Sequence, residues 1–390
     1  MDKKRILIVC GPITDGGAEK VLLDVLKNFD YDIYEIDLAL IHKEGVRLKD
    51  VPAQVNIIEL WTKGSLNQFI GIKFSTKLHS NILLARRMNS GRLRKDYTAE
   101  ISFLEGWSTK LLSLRKTKAR KIAWIHTDFS RHHTSNGCYH NDKEEHETYG
   151  KMDVIVNVSE GAREGFCSLM PELEEKATVI YNPVDKKEIM RKATTGPNPY
   201  KESPLKEFIA GNYGLPETDP KIIVAVGRLN HEKNPGRFIE TAALAKSEGL
   251  DVRFVWVGDG VLRQEMEDKI QEMGLGDMVR LVGFKDNPYP YLYHADIMTL
   301  PSNAEGFSIV TCETMCLGIP VVSTATAGQQ ELLGDNERGI IVDFTPQALL
   351  EGIKRLVEDP ALAPTLSQNA AKRVEAFTPE RMLERTYSIL

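Results

Sequence analysis

The sequence predicts an α/β protein of two domains, each a Rossmann-like β/α/β array, the two facing each other across a cleft. Three observations predict it. Short β-branched apolar runs alternate with helical stretches, as buried parallel strands alternate with their crossover helices. The alternation breaks at Asn182-Pro183 and over the Pro-, Gly- and polar-rich residues 194–220, then restarts. The unusual polar residues follow strands directly, at the carboxyl ends where such sheets bind ligands. A length of 390 residues suits two or three domains, and 42% apolar residues suffice for a core in each half.

In chain order, "RILIVC" reads as a strand and "GAEKVLLDVLKNF" as a helix. "YEIDLALI" and "VNIIEL" are strands, and residues 66–90 read as one long helix. "AEISFL", "KIAWIH" and "VIVNVS" complete the first array as strands. After the break, "KIIVAVGRL", "VRFVWVGDG", "VRLVGF", "DIMTLPS", "PVVST" and "GIIVDF" are strands with helices between them.

Composition excludes several classes. A net charge of -5 argues against bulk binding of nucleic acid. No apolar run approaches the roughly 18 residues needed to span a bilayer. The opening "MDKKRILIVCG" imitates a secretion signal, but its apolar stretch, Ile6 to Cys10, is too short and reads as a first strand. Cys10, Cys138, Cys167, Cys312 and Cys316 are odd in number and scattered, which fits reduced thiols in the cytosol. Cys312 and Cys316 share a helix face as small buried residues.

Three stretches carry candidate chemistry. In "NAEGFSIVTCE", Glu305 and Glu313 stand eight apart, with a helix expected to begin near Gly306. The amides of Gly306, Phe307, Ser308 and Ile309 would then form an anion-favouring helix start. Regular helix would separate the carboxylates by about 11–12 Å of rise, too far for acid and base across one bond. That spacing suits two ends of one long ligand, such as a nucleotide sugar; the competing reading is a helix cap plus a solvated glutamate. In "GRLNHEKNPGRF", Arg228 and Lys233 lie where strand becomes helix and could neutralise a departing diphosphate, or be chance cations of a solvated loop. In "GPITDGGAEKVL", Gly16-Gly17 would admit a phosphate or sugar close to the backbone. Neither G-x-G-x-x-G nor G-K-[ST] is present, which counts against a dehydrogenase and a P-loop NTPase.

Gly16-Gly17, Arg228, Lys233, and Glu305 with seven residues before Glu313 together resemble glycosyltransferase family four, a retaining family of GT-B fold. The likeness runs along nearly the whole chain, through "YNPVD" and "VGDGVLR". It implies an acceptor-binding N-terminal domain over 1–182, a nucleotide-sugar domain over 183–375, and a C-terminal helix over 376–390 returning toward the N-terminal domain. It implies that Arg228 and Lys233 bind the donor diphosphate. Glu305 would hold the sugar with Gly306, Phe307, Ser308 and Ile309, Glu313 the ribose, and His126 of "AWIHTD" would lie near the sugar. For a lone histidine, a satisfied core residue is the competing reading. The resemblance further implies transfer of a hexose or N-acetylhexosamine from a UDP-sugar to a glycan or lipid-linked glycan acceptor, without a metal or other cofactor. The Asp30-Tyr31-Asp32 tripeptide reads as a turn, not a metal site. Glycogen synthases have a lysine where this chain has Thr14. A UDP-sugar epimerase and a non-catalytic partner in glycan assembly are the alternatives.

Two regions remain. "HTDFSRHHTSNGCYHNDKEEH" holds zinc-type residues at no standard spacing and reads as a mobile loop over the acceptor side. Residues 60–125 carry 14 Lys or Arg against Asp96, Glu100 and Glu105, a balance of +11. There Leu66, Ile70, Phe74, Leu78 and Ile82 form a stripe beside Lys73, Lys77, Arg86 and Arg87. This is either a helix packed on its own sheet or an anionic-membrane surface, which would place the protein in the cytoplasm, peripheral on the inner face of the cell membrane.

Overall fold

The computed structural model describes residues 3–390 except 15, 78, 79, 95, 203 and 211–219, and side chains other than those of 67, 68, 74, 76, 77, 134 and 136. The chain forms two compact units, residues 1–183 with 379–390, and residues 184–378.

Unit 1 has strands β1 (Lys4–Cys10), β2 (Tyr34–Leu40), β3 (Asn56–Glu59), β4 (Ala99–Ser102), β5 (Arg120–Ile125), β6 (Val154–Asn157) and β7 (Ala177–Val179). They pair in parallel in the order β3-β2-β1-β4-β5-β6-β7. Its helices are α1 (Gly17–Asn28), α2 (Leu66–Lys77), α3 (Ile82–Met88), α4 (Trp107–Ser113), α5 (Asp142–Gly150) and α6 (Glu160–Leu169). In unit 2 the helices are α7 (Lys186–Thr194), α8 (Leu205–Ala210), α9 (Pro235–Ser247), α10 (Arg263–Glu272), α11 (Tyr289–Tyr293), α12 (Ile309–Leu317), α13 (Ala327–Leu333), α14 (Pro346–Glu358) and α15 (Leu362–Arg373). Its strands β8 (Lys221–Val226), β9 (Val252–Val257), β10 (Val279–Leu281), β11 (Ile297–Leu300), β12 (Val321–Thr324) and β13 (Ile340–Val342) run parallel in the order β10-β9-β8-β11-β12-β13. The last helix, α16 (Pro379–Ile389), packs in unit 1. There Tyr387 stacks on Tyr34 at 5.1 Å and its hydroxyl accepts the Asp30 amide at 2.8 Å.

Each sheet is covered on both faces by helices, so its strands are apolar throughout. Ile6, Leu7, Ile8 and Val9 are all buried, as are Ile223, Val224 and Ala225. In both sheets the strand order reverses beside the first strand, between β1 and β4 and between β8 and β11. Such switch points leave a crevice at the strand ends.

Four expectations are corrected. Residues 66–90 are two helices, α2 and α3, and Leu78 and the side chain of Phe74 lie outside the described set. Asn81 accepts from the Ser75 hydroxyl at 2.7 Å and donates to Glu144 at 2.8 Å, polar contacts that compete with a continuous helix. Leu66 and Ile82 of the expected stripe are 70% and 73% exposed, so it is no packing face. The basic segment is not one solvated surface either. Lys110 and Arg115 are buried, paired with Glu144 at 2.9 Å and Glu100 at 2.7 Å. Finally, the histidine-rich stretch is not all loop: Asn141 caps α5, and His133 meets Glu145 at 3.0 Å. Among the described residues no group of three or more metal-type ligands converges. Asp30 accepts the amides of Asp32 and Ile33 within its turn. No helix among the described residues is long and apolar enough to cross a membrane.

Candidate active site

In unit 2 the residues of interest lie at the switch point. The chain leaves β8 at Gly227 and enters α9 through Asn234, whose left-handed backbone (φ 48°) asparagine tolerates. The Asn234 side chain accepts the Arg237 amide, and Pro235 takes the first helical turn. Between them Asn230 accepts the Lys233 amide at 3.0 Å. Two glycines press this loop into shape. A Cβ on Gly258 would stand 1.9 Å from the Gly227 carbonyl oxygen, and one on Gly260 would stand 2.4 Å from that of Leu229. The glycines of "VGDGVLR" thus serve close backbone packing behind Arg228.

The loop after β11 lies against this one. Arg237 donates to the Pro301 carbonyl at 2.5 Å and to Asn303 at 2.9 Å. The Asn303 amide donates to the Glu232 carbonyl at 2.8 Å. This stitching sets Lys233 Nζ 2.5 Å from Glu305 Oε1, which also accepts the Ser302 hydroxyl at 2.7 Å. Glu305 is 6% exposed. Arg228 is exposed and makes no ion pair among the described residues.

The helix begins three residues later than expected. Residues 305–308 are not helical, Ser308 is the N-cap, and its hydroxyl accepts the Thr311 amide. Ile309 and Val310 therefore hold the open amides of the first turn. Phe307 is buried, its ring edge-on to Phe377 at 5.3 Å. Gly306 meets the first turn of α13, where a Cβ on Gly328 would come within 2.8 Å of its carbonyl oxygen. Since 305–308 is not helix, the rise estimate between the glutamates does not apply. The competing reading of the pair does not fit either: Ser308, not Glu305, caps this helix, and Glu313, 6% exposed, accepts the Tyr289 hydroxyl at 2.9 Å.

Unit 1 places Gly16 and Gly17 at the start of α1, after β1. The Glu19 carboxylate folds back over Gly16 and accepts the Thr14 hydroxyl at 2.9 Å, so an anion arriving there meets Glu19. His126 follows β5. Both its ring nitrogens are buried without a hydrogen-bond partner among the described residues. Burial pushes its pKa down to about 3, so the imidazole is neutral at ordinary pH. Glu105 follows β4, the counterpart of β11, and accepts the His126 amide at 3.0 Å and the Thr127 hydroxyl at 3.1 Å. Burial raises its pKa against those hydrogen bonds.

The structure thus brings Lys233 and Glu305 into contact, with Arg228 in the same loop and Glu313 farther along α12. Gly16, Gly17 and His126 belong to the other unit. Sequence reasoning missed Ser302, Arg237, Tyr289 and Glu105. Of these, Glu105 carried a signal: "LEGW" after β4 repeats the Glu-Gly of "AEGF" after β11.

Residues 208–373 match the family model for glycosyl transferases group 1. The chain is 31% identical over 231 residues, 59% of its length and 57% of the relative's, to N-acetylgalactosamine-N,N'-diacetylbacillosaminyl-diphospho-undecaprenol 4-alpha-N-acetylgalactosaminyltransferase of Campylobacter jejuni. It is 34% identical over 162 residues, 41% of its length and 42% of the relative's, to alpha-D-kanosaminyltransferase of Streptomyces kanamyceticus. The chain spans about half the length of these curated relatives. Among solved structures, HepE of Anabaena in complex with UDP-glucose aligns with a TM-score of 0.78 at 19% identity, covering 99% of this chain and 100% of that one. TarM of S. aureus, in a complex that includes UDP, aligns with a TM-score of 0.72 at 14% identity, covering 99% of both chains. At these identities the likeness is one of fold, and the fold is GT-B.

Proposed function

We propose that the protein is a retaining glycosyltransferase that works without a metal, moving a hexose or N-acetylhexosamine from a UDP-sugar to a glycan or lipid-linked glycan acceptor. The observation that carries the reading is the half-buried Lys233 paired with the buried Glu305 and Ser302 at the switch point of unit 2, with the buried Glu313 on the helix that follows. The relatives' names point the same way. The Campylobacter protein acts on a diphospho-undecaprenol-linked sugar, and the HepE structure holds UDP-glucose.

In this reading Arg228 and Lys233 take the donor diphosphate, with the amides of Ile309 and Val310 facing the same charge. Glu305 accepts hydrogen bonds from sugar hydroxyls, and Glu313 from the ribose. His126, neutral, would lie near the sugar. The bond from the anomeric carbon to the diphosphate breaks, and a bond to the acceptor hydroxyl forms on the same face. The acceptor's proton passes to the departing phosphate, giving the glycoside and UDP. Charge on the leaving group grows along this path, so the two cations act most in the transition state.

The acceptor side points to a membrane surface. Leu66, Phe69 and Ile82 are exposed apolar residues on α2 and α3, close in sequence to Lys73 and Arg86. With five free thiols, this supports a cytoplasmic protein attached to the inner face of the membrane.

The test is to titrate UDP and a UDP-sugar into Glu305→Gln and Glu313→Gln. Glu313→Gln should weaken both ligands about 10- to 150-fold, one charge-assisted hydrogen bond's worth. Glu305→Gln should weaken only the sugar-bearing ligand, and UDP should bind as before or more tightly, because Lys233 is released from its carboxylate. Equal losses of both ligands in Glu305→Gln would refute the two-ended site.

A further inference from the structure

Unit 1 holds a cationic cavity that the proposed reaction does not use. It has a volume of about 680 Å³, and its lining includes Trp61, Thr62, Arg86, Arg87, Ser90 and Arg92. Among the described residues no carboxylate pairs with any of the three arginines. The neighbouring Arg94, by contrast, has Glu35 at 3.3 Å. Arg87 is half-buried against Trp61, its guanidinium carbon 5.7 Å from the ring centre. Its Nε is shut from solvent with no acceptor among the described residues, and the Ser90 hydroxyl three residues on is also buried without a partner among them.

Native proteins seldom leave buried donors unpaired. Arg86 and Arg87 end α3, where the helix dipole favours cations. The dipole accounts for charge at that place. It does not give Arg87 Nε or the Ser90 hydroxyl an acceptor, and Arg92 lies beyond the helix. Burial first, then the Arg92 charge, pushes the Arg87 pKa below its ordinary value, with Glu59 acting the other way. Glu59 is itself engaged, accepting the Lys43 amide at 3.3 Å.

We propose that this cavity binds a phosphate or diphosphate ester. The lining offers planar guanidinium forks and hydroxyls as donors, a set matched to several phosphate oxygens at once. Three uncompensated cations call for a ligand of more than one negative charge. A concave site half open to solvent, unlike a continuous basic stripe, suits a headgroup better than a nucleic-acid backbone. A second cavity of about 440 Å³ shares Trp61 and extends to Gly11, Glu105 and Trp107 at the carboxyl ends of β1 and β4. The rest of an ester whose phosphate meets Arg87 would lie toward Trp61, which both cavities share. This assignment rests on the acceptor reading above and deepens it: the acceptor is held by its phosphate.

The test uses the full chain carrying Arg228→Ala and Lys233→Ala, which removes the other cationic loop as a competitor. Inorganic pyrophosphate is titrated by calorimetry. We expect one site, weakened at least tenfold by Arg87→Gln and by Arg92→Gln, and less by Arg87→Lys. Arg92 is exposed, so its variant keeps the test standing if Arg87→Gln does not fold. No pyrophosphate binding, or unchanged affinity in both glutamine variants, overturns the proposal. Phosphatidylcholine vesicles containing phosphatidic acid identify the source. Release of the protein by pyrophosphate assigns the site to a lipid-borne phosphate, and attachment that pyrophosphate leaves intact assigns it to a soluble ester. UDP binding of the parent is measured alongside. UDP bound without a pyrophosphate site sinks this proposal alone; the arginine effect without UDP binding sinks the glycosyltransferase reading alone.

Discussion

Lys233 sits 2.5 Å from one oxygen of Glu305, so removing either side chain changes the other's surroundings. Glu305 is buried, and a carboxylate left there without its cation is costly. Lys233→Met should therefore lower the thermal midpoint, and adding Glu305→Gln should recover most of the loss. Thermal unfolding of the two single variants and the double checks this, and simple additivity would mean that the pair does not couple. His126 gives a second expectation, in pH. Its folded pKa of about 3 lies below the ordinary 6.5, so between those values the unfolded chain binds more protons. Its contribution to stability is therefore full at neutral pH and is lost as pH falls from 6.5 toward 3. In His126→Gln that contribution is absent. Urea midpoints at pH 7 and pH 4.5 should fall further in the parent than in the variant, and equal falls would count against a neutral, buried ring.

The glycines and helices make their own predictions. Gly258 has φ 144° and no room for a Cβ beside the Gly227 carbonyl, so Gly258→Ala displaces the loop that carries Arg228 and Lys233. Strain and overpacking of this kind cost about 1–3 kcal/mol. Calorimetry should show a lower unfolding midpoint, and UDP binding should weaken with it. Unchanged UDP affinity would separate the loop from the nucleotide. At α2 and α3, replacing Leu66, Phe69 and Ile82 with serine should weaken sedimentation with anionic vesicles while leaving the unfolding midpoint nearly unchanged, because all three are exposed. Elements with continuous apolar runs were legible in the sequence, as were the two loops carrying Lys233 and Glu305, though not their contact. The break between α2 and α3 was not, because it depends on a contact from Asn81 to Glu144, 63 residues away. Counting charges misled for the same reason, since the partners of Lys110 and Arg115 are distant in sequence. Ser302 and Tyr289 look like any loop residues until the fold sets them beside the glutamates.

At the scale of the whole molecule, two sheets repeat one strand order, each with a buried glutamate or a half-buried one followed by glycine at the end of its fourth strand. In unit 2 that glutamate meets a cation from the first strand's loop. In unit 1 it stands beside a half-buried histidine and lines a cavity that shares Trp61 with the arginine-lined one. The most direct measurement of the central claim gives the purified chain a UDP-sugar panel and a membrane extract carrying lipid-linked glycans. Mass spectrometry and proton NMR follow the products, with and without chelator. The account predicts UDP and an acceptor one sugar longer in equal amounts, the donor's anomeric configuration kept, and no effect of chelator. A donor converted to another UDP-sugar without any acceptor, or a donor bound but never consumed, would contradict it.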